Sequence, residues 1–296
     1  MDAFHSNWTR PFFARHSGEY YIEDFEILTT ILSALKWQQF NGGIKMVTDI
    51  KGYDYYQRLG LECIWNKGID YSLEKSVDPE IDPYTFWAAG KLYALRQESG
   101  PCVMLDTDFI IWESLVDEFA KHELAVIHRE DINEAVYPSY EKFNLNEGYK
   151  LDTTFDWQVE PCNTAFTFIR DDLFKEYYTR TAIEFMKNTR ARDPLIYMVF
   201  AEQRLISMCA KKQGIEIYNF SDVEALFHSA QTCFTHVWGY KSYLQRHLEA
   251  RERFCKRCMK RILKDFPYML QHLEKMKELN KYIDSDLFDE IVLSGA

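Results

Sequence analysis

Apolar residues recur along the chain in two patterns, a helical spacing that predicts helices and short continuous runs that predict strands. A helical stripe begins the pattern, at Leu28, Ile31, Leu32 and Leu35. These positions are i, i+3, i+4 and i+7, so they share one face of an amphipathic helix. The Asn-Gly-Gly turn signal at 41–43 ends this helix. The short apolar run Ile44–Asp49 that follows it predicts a strand.

The alternation of strands and helices continues to Lys241. Strands are predicted at Asp2–Trp8, Ile44–Asp49, Glu62–Trp65, Pro101–Ile111, Leu124–His128, Asn163–Ile169, Ile215–Tyr218 and Thr232–Trp238. Further helices are predicted at Tyr53–Leu59, Pro83–Gln97, Asp171–Lys187 and Pro194–Lys212. Such a pattern indicates an α/β fold with a mostly parallel sheet flanked by helices, and ligands bind at the carboxyl ends of its strands. Beyond Lys241 the pattern is wholly helical, which predicts a catalytic domain at 1–241 and a helical C-terminal extension at 242–296.

The composition of the 296-residue chain is that of a soluble globular protein, with 47% hydrophobic and 27% charged residues. A net charge of -11 predicts no nucleic-acid partner, because neutralising phosphates requires a basic face. A bound cation would still supply local positive charge for a small phosphate-bearing ligand. The aromatic content of 16% suits a large core, and also a groove that stacks flat ligands such as sugars or bases.

Three features predict a cytoplasmic protein. The seven cysteines have no regular spacing and do not form the pattern of a disulfide framework, which favours a reducing compartment. The opening residues lack the basic and then apolar pattern of a secretory signal. No uninterrupted apolar run approaches the roughly 18 residues of a membrane span.

Candidate chemistry concentrates in the run from Val103 to Trp112, where Asp106 and Asp108 interrupt apolar residues. A buried parallel strand is almost continuously apolar, and unpaired carboxylates are costly to bury in one. The two acids share one face if the strand stays extended, or flank a turn if it ends there. Either arrangement offers hard oxygen ligands to Mn²⁺ or Mg²⁺, whose other ligands are diphosphate oxygens and water. The alternative is a strand end where both aspartates face solvent.

Two segments resemble a known family. The run Leu105–Trp112 resembles the D-x-D strand of glycosyltransferases with the GT-A fold, a Rossmann-like architecture. The segment at 236–241 resembles the H-x-x-G-x-K element of the glycogenin and bacterial galactosyltransferase group, whose histidine is the third metal ligand and whose lysine holds a diphosphate oxygen. The metal ligands that the resemblance implies are Asp106, Asp108 and His236, and the implied diphosphate contacts are Gly239 and Lys241.

Weaker matches stand in the family's order around these two segments. The first strand and loop, with Trp8, and the second strand, ending at Asp49, resemble the segments that border the nucleoside. Lys91, before the D-x-D strand, matches a basic residue that faces the donor phosphates. Asn163 resembles a residue lining the sugar pocket, and Gln203 lies in a match to the helix with an acid-glutamine pair. Ordinary structural roles remain alternatives, such as a helix N-cap for Asp49 or a surface position for Lys91.

The stereochemical outcome and the catalytic residue stay open at the level of the sequence. Ala165 stands where the family usually has glycine, and the longer H-x-x-G-x-x-K-P-W form is absent, so the subfamily does not follow. An inverting enzyme needs a carboxylate base for the acceptor hydroxyl, whereas a retaining enzyme need not have one. The candidates for a base are Glu160, Asp193 and Glu202.

The sequence thus predicts a metal-dependent glycosyltransferase that uses a nucleotide-diphosphate sugar, with a UDP-sugar favoured, and Mn²⁺ or Mg²⁺. The acceptor is an unidentified glycan, lipid-linked molecule or protein. One alternative is a nucleotidyl or phosphoryl transferase that uses the same aspartates for metal and triphosphate. The other is a non-catalytic module that binds nucleotide sugars.

The segment Tyr240–Lys264 carries nine Lys or Arg residues against only two acids, Glu249 and Glu252. Its apolar residues follow a helical period, so a core-packing helix with a solvated basic face is the favoured interpretation. The alternative is a peripheral contact with an anionic acceptor or with the inner membrane surface.

Overall fold

The computed structural model describes residues 1–190, 193–228 and 232–283. The strands are β1 Ala3–Asn7, β2 Ile44–Thr48, β3 Ile69–Asp70, β4 Cys102–Leu105, β5 Phe109–Ile111, β6 Leu124–Val126, β7 Phe166–Ile169, β8 Ile217–Asn219 and β9 Phe234–His236. The helices are α1 Arg10–Phe13, α2 Asp24–Phe40, α3 Ile50–Arg58, α4 Leu73–Ser76, α5 Ala89–Gln97, α6 Val116–Phe119, α7 Asp172–Lys187, α8 Pro194–Val199, α9 Leu205–Gln213, α10 Val223–His228, α11 Tyr240–Arg246, α12 Leu248–Asp265 and α13 Leu270–Leu273. Short 3₁₀ turns occur at Glu62–Ile64, Tyr140–Lys142, Pro267–Met269 and Asn280–Tyr282, and a π-helical segment at Phe200–Arg204.

A seven-stranded mixed sheet forms the centre of the molecule, with the strand order β3-β2-β1-β4-β7-β6-β8. Its pairs are parallel except on either side of β7, which runs antiparallel to β4 and to β6. Strands β5 and β9 form a separate antiparallel pair. With helices on both faces and a helical C-terminal region, this architecture confirms the predicted α/β fold class.

The core lies on the two faces of the sheet, because successive side chains of a strand point to opposite sides. In β1, Ala3 packs in the cluster that contains α2 and α12, whereas Phe4 packs in the cluster that contains α5, α7 and α9. In β4, Leu105 and Met104 divide between the same two clusters. Strand β4 is therefore buried on both faces, and its carboxyl end leads directly into the two aspartates.

Several predicted elements are shorter than expected, or wrong. The predicted strand Glu62–Trp65 is a 3₁₀ turn, whose Ile64 carbonyl accepts a hydrogen bond from Gln38 Nε2 (2.6 Å) instead of from a strand. The helix predicted from Pro83 begins only at Ala89. Asp82 explains the delay, since its carboxylate accepts hydrogen bonds from Tyr84 N and Thr85 Oγ1 and holds a turn there.

The helix predicted at Pro194–Lys212 is present but not uniform. It runs as α8, a π-helical segment at Phe200–Arg204 and α9. A π segment widens one turn and shifts the direction of the side chains that follow, and such segments are frequent at functional sites. The segment carries Glu202, Gln203 and Arg204, whose side chains enter different surroundings described below.

Helix α12 is bound to the sheet domain through α2. Buried side chains of α12, such as Met259 and Ile262, join the same apolar cluster as α2. Arg251 of α12 pairs with Glu23 (2.6 Å) and with the buried Asp24 (2.6 Å). The domain boundary after 241 stays a prediction. Among the helices within the described ranges, none combines the length and apolar character that crossing a membrane requires.

Candidate active site

The predicted run Pro101–Ile111 divides into β4 and β5 at a turn that contains both aspartates. Asp106 N donates to the Ala165 carbonyl (2.7 Å), which fixes the exit from β4, and Phe109 N donates back to the Asp106 carbonyl (3.0 Å). Of the two arrangements open in the sequence, the turn is the one adopted. The Asp106 side chain is 28% exposed and that of Asp108 only 4%, so the first is partly open to solvent and the second is buried.

Strand β9 brings His236 to the two aspartates. It pairs antiparallel with β5 in a register that puts His236 opposite Phe109. The His236 Nε2 atom lies 4.0 Å from Asp108 Oδ2. One side-chain ligand atom each of Asp106, Asp108 and His236 lies within 4.8 Å of the others, a spacing at which they could hold a single metal ion.

The segment after β9 wraps around Asp108. Val237 N donates to the Asp108 carbonyl (3.2 Å), Trp238 N donates to its Oδ2 (3.0 Å), and Lys241 Nζ lies 3.1 Å from the same oxygen. Trp238 has φ 29°, a conformation that residues other than glycine seldom adopt. Such strain is typical of segments that the surrounding structure holds for a function.

The charges around Asp108 favour its ionised form. Burial disfavours a charge on Asp108, but Lys241, joined by His236 at acid pH where its ring is protonated, outweighs it and holds the pKa of the carboxyl below its ordinary value. Burial lowers the pKa of His236, against the opposing pull of Asp108. The imidazole is therefore neutral at pH 7 and keeps a nitrogen lone pair for a ligand bond.

Lys91 of α5 joins Asp106 to a second buried acid. Its Nζ lies 2.7 Å from Asp106 Oδ1 and contacts the Glu202 carboxylate, which also accepts a hydrogen bond from Thr164 Oγ1 (2.8 Å). Burial disfavours the ammonium, but Asp106 and Glu202 outweigh it and raise the pKa of Lys91. Burial raises the pKa of Glu202. Lys91 is thus a fixed cation inside the site, which excludes the surface alternative.

A polar network continues from Asp106 through Asn163. Asn163 Oδ1 accepts from Ala165 N (3.1 Å), and Asn163 Nδ2 donates to Glu130 Oε1 (3.1 Å). The Tyr137 hydroxyl lies 2.6 Å from both Glu130 Oε2 and Gln203 Oε1. The predicted donor residues Asn163 and Gln203 therefore belong to one network beside the aspartates.

A buried hydrogen-bond chain supports the start of β5. Trp65 Nε1 donates to His5 Nδ1 (3.2 Å), so Nδ1 is the ring nitrogen without a proton. The ring proton is therefore on Nε2, which donates to Ser33 Oγ (3.0 Å). Ser33 Oγ then donates to the Phe109 carbonyl (2.6 Å). Burial lowers the pKa of His5 to about 3, although Asp108 opposes the shift, so the ring stays neutral.

The remaining predicted donor residues, Trp8, Asp49 and Gly239, make no direct bond to the aspartates within the described ranges. Trp8 is 7% exposed in the core, and its indole nitrogen has no hydrogen-bond partner among the described residues. Asp49 is the N-cap of α3 and accepts from Gly52 N (3.0 Å) and Thr9 N (2.9 Å). At Gly239, an added Cβ would meet no described atom within 4 Å.

Two of the three candidate bases lie apart from the aspartates. Asp193 is exposed and caps α8 by accepting from Leu195 N and Ile196 N. Glu160 is exposed on a shallow cavity beside Arg129. Glu202 alone adjoins the aspartates, through Lys91.

Sequence patterns missed several residues of the site. Trp238 lies inside the H-x-x-G-x-K element, so that motif could have pointed to it. Thr164 follows Asn163 in the segment that resembles the sugar-pocket lining, whereas Glu130 and Tyr137 have no local signal, since their partners come from distant segments.

Comparison with solved structures finds distant likenesses. The PaToxG glycosyltransferase is 11% identical, with 98% of this chain and 83% of that chain covered and a TM-score of 0.42. Mouse xyloside xylosyltransferase 1, in its apo form, is 7% identical over 74% of this chain and 85% of that one, with a TM-score of 0.38. The galactosyltransferase LgtC, in complex with donor and acceptor sugar analogs, is 11% identical over 77% and 74%, with a TM-score of 0.36.

Likenesses this distant carry no functional conclusion. No functionally curated protein matches the chain. Residues 1–276 match the model of DUF6734, described as a family of unknown function, and the chain therefore belongs to that family.

Proposed function

We propose that this protein is a metal-dependent glycosyltransferase of GT-A type that transfers a sugar from a nucleotide-diphosphate sugar, with UDP as the favoured nucleotide. The observation that carries the proposal is the approach of His236, from β9, to Asp106 and Asp108 in the turn between β4 and β5, with ligand atoms of all three within 4.8 Å of one another. Lysines flank this group on both sides, at Lys91 and Lys241. Carboxylates, a neutral imidazole and fixed ammonium groups together suit a cation with a diphosphate.

The donor set fits Mn²⁺ or Mg²⁺. Carboxylate oxygens are the ligands both ions prefer, and an imidazole favours the softer Mn²⁺. Three protein ligands leave coordination positions open for diphosphate oxygens. When bound there, the cation would neutralise the diphosphate and stabilise the charge that develops on the departing nucleoside diphosphate.

Lys241 and Lys91 supply the remaining positive charge. Lys241 is 34% exposed and its ammonium lies 3.1 Å from Asp108 Oδ2, so this flexible side chain can turn from Asp108 to a phosphate oxygen. Lys91 is more enclosed, at 14%, and stays between Asp106 and Glu202. Gly239 leaves open space beside the backbone, through which a phosphate can approach.

Residues at the carboxyl ends of β1 and β2 are proposed to border the nucleoside. The carboxylate of Asp49 is occupied by Thr9 and by the start of α3, so we assign it the shaping of this pocket instead of direct hydrogen bonding to the base. Trp8 supports the same wall from the core side, where its Cβ lies against Gly90.

Glu202 fits a positioning role better than that of a catalytic base. It is 2% exposed, and its carboxylate is occupied by Lys91 and Thr164. A base must reach the acceptor hydroxyl within hydrogen-bond distance. We propose that Glu202 holds Lys91 in place. Glu130 is half-buried, but its two carboxylate oxygens are likewise occupied, by Asn163 and Tyr137, so we assign no base.

The proposal is tested by screening nucleotides and nucleotide sugars for a shift in thermal stability, with Mn²⁺ and with EDTA, followed by product analysis. A ligand that binds only the folded state raises the apparent stability of the folded protein. The expected result is stabilisation by a nucleoside diphosphate only with Mn²⁺, and slow release of that diphosphate from its sugar. Release of pyrophosphate would instead indicate a nucleotidyl transferase, and binding without turnover a non-catalytic module.

A peripheral role for the basic segment Tyr240–Lys264 remains a secondary proposal. Arg253, Lys256, Arg257 and Lys260 lie on its exposed face, and Glu249 and Glu252 offset part of their charge. Sedimentation with anionic and neutral liposomes tests it. Equal binding to both, or binding unchanged after these four residues become glutamine, would contradict a membrane contact.

A further inference from the structure

A cavity lies beside the π-helical segment, which supplies Arg204 to its lining. Its volume is about 880 Å³, and its lining includes the aromatic side chains Tyr137, Tyr140 and Trp157. Carboxylates also line it, at Glu134, Glu141 and Asp152. Aromatic rings stack on the apolar faces of sugar rings, and carboxylates accept hydrogen bonds from sugar hydroxyls. This lining therefore suits a carbohydrate.

Arg204 lines this cavity as a buried cation without a carboxylate partner. The residue is 1% exposed, and its Nε and Nη1 atoms have no hydrogen-bond partner in the described ranges. The remaining nitrogen, Nη2, donates to the Trp157 carbonyl, and the guanidinium lies 6.0 Å from the ring centres of Tyr137 and Trp157. Burial lowers the pKa of Arg204, although Tyr137 and Asp156 oppose the shift.

Unpaired buried charge of this kind is costly, so it needs an explanation. Among the described residues, no carboxylate of the lining lies within ion-pair distance of the Arg204 guanidinium, and Asp152 is paired with Lys212. A guanidinium offers a planar fork that matches a carboxylate or a phosphate. The unfilled donors at Arg204 therefore indicate an anionic group on the ligand.

We propose that this cavity is a carbohydrate subsite that selects an acidic sugar, with the guanidinium of Arg204 binding its carboxylate or phosphate group. The acids of the lining accept hydrogen bonds from the sugar hydroxyls, and the aromatic side chains contact the ring. The proposal rests on the proposed function in one respect, because it makes the acidic sugar part of the acceptor.

The π-helical segment connects the cavity with the donor site. Glu202, Gln203 and Arg204 are consecutive in it. Glu202 contacts Lys91 beside Asp106, the Gln203 side chain bonds to Tyr137, and Arg204 lines the cavity. An acceptor held at Arg204 would thus lie on the side of the molecule that the Asn163 network joins to the aspartates.

Binding of three small probes in EDTA, without donor, tests the proposal. The probes are methyl glucuronide, glucose 6-phosphate and methyl glucoside, titrated by ligand-observed NMR. Wild type should bind at least one acidic probe about tenfold more tightly than the neutral one, since charge-assisted hydrogen bonds are strong. The stronger acidic probe identifies the group as carboxylate or phosphate. No preference for either acid would overturn the proposal.

The variant Arg204→Met should lose this preference, whereas Arg96→Gln, which removes a surface arginine paired with Glu176, should keep it. Because an unpaired buried charge destabilises the fold, Arg204→Met should melt no lower than wild type. Retention of the preference by Arg204→Met would contradict the proposal. If that variant does not fold, crystals of wild type soaked with the stronger probe decide. An acidic group bound at Arg204 supports the subsite, and a probe bound only elsewhere overturns it.

The outcome is separable from that of the proposed function. Asp108→Asn should bind the acidic probe as wild type does, because Asp108 does not line the cavity. If acidic sugars bind but no nucleotide diphosphate does, the donor proposal alone fails. If a nucleotide diphosphate binds with Mn²⁺ but no probe shows a preference, the subsite alone fails.

Discussion

The Nε2 atom of His236 lies 4.0 Å from the Oδ2 atom of Asp108, although the two residues come from opposite halves of the chain. The register of the small sheet β5–β9 produces this proximity, because it aligns His236 with Phe109. The site therefore depends on a strand pair outside the main sheet.

Removing the imidazole should weaken the metal site without abolishing it. For His236→Ala, the affinity for Mn²⁺ should fall by at least about tenfold, since even loss of a supporting residue around a metal site costs that much. Calorimetric titration measures it. The exposed His272, changed to alanine, is the matched control. Unchanged Mn²⁺ affinity in His236→Ala would exclude His236 as a ligand.

Substitution of Gly239 by alanine distinguishes a role in ligand binding from a role in folding. Its φ of -61° is open to any residue, and a Cβ there would meet no described atom within 4 Å. Gly239→Ala should therefore change the free energy of unfolding by no more than about 0.5 kcal/mol. If a phosphate approaches the backbone here, the affinity for UDP should nevertheless fall clearly. Full retention of UDP affinity would argue against that approach.

Lys241 should recognise the diphosphate and not the nucleoside. Lys241→Ala is expected to weaken binding of UDP with Mn²⁺ by about tenfold or more while leaving that of uridine unchanged, because the ammonium pairs with phosphate as a point charge. Arg246→Ala, on the exposed face of the same helix, controls for loss of one positive charge. Equal weakening of UDP and uridine would indicate that Lys241 acts through the fold.

The attachment of α12 to α2 should depend on pH through Asp24. Burial disfavours its charge, but hydrogen bonds from Arg251 and Tyr282 outweigh this and lower the pKa of Asp24 below its usual value. Its contribution is thus complete above the unfolded pKa of about 3.9 and is lost as pH falls through the lower folded pKa.

Urea denaturation of Asp24→Asn should show a loss of about 2 to 3 kcal/mol at pH 7. The difference from wild type should shrink below pH 4. The exposed Asp54, changed to asparagine, should have little effect at either pH. A loss that stays constant down to pH 2 would contradict the assignment to the ionised carboxylate.

The sequence predicted the fold class and the elements that carry the site, because strands buried on both faces leave long apolar runs. The acids at 106 and 108 stood out for the same reason, being costly exceptions within such a run. It also predicted that His236 and Lys241 approach Asp108, but only through the resemblance of a motif. Local periodicity contains no information about the register of β5 and β9.

Other parts of the site depend on contacts that no periodicity reveals. The π-helical turn reads as ordinary helix in the sequence, yet it separates the directions of Glu202 and Arg204. The carboxylate of Asp82 delays the start of α5 by holding a turn, which a helical pattern from Pro83 onward does not disclose. Glu130 acquires its place only through Asn163 and Tyr137.

The measurement that most directly tests the central claim is the electron paramagnetic resonance signal of free Mn²⁺ during titration with protein, in the presence of UDP. Wild type should remove Mn²⁺ from solution at one site per chain, and Asp108→Asn should not, although it remains folded by circular dichroism. Equal removal of Mn²⁺ by the two proteins, or none by wild type at millimolar UDP, would contradict a catalytic metal site at Asp106, Asp108 and His236.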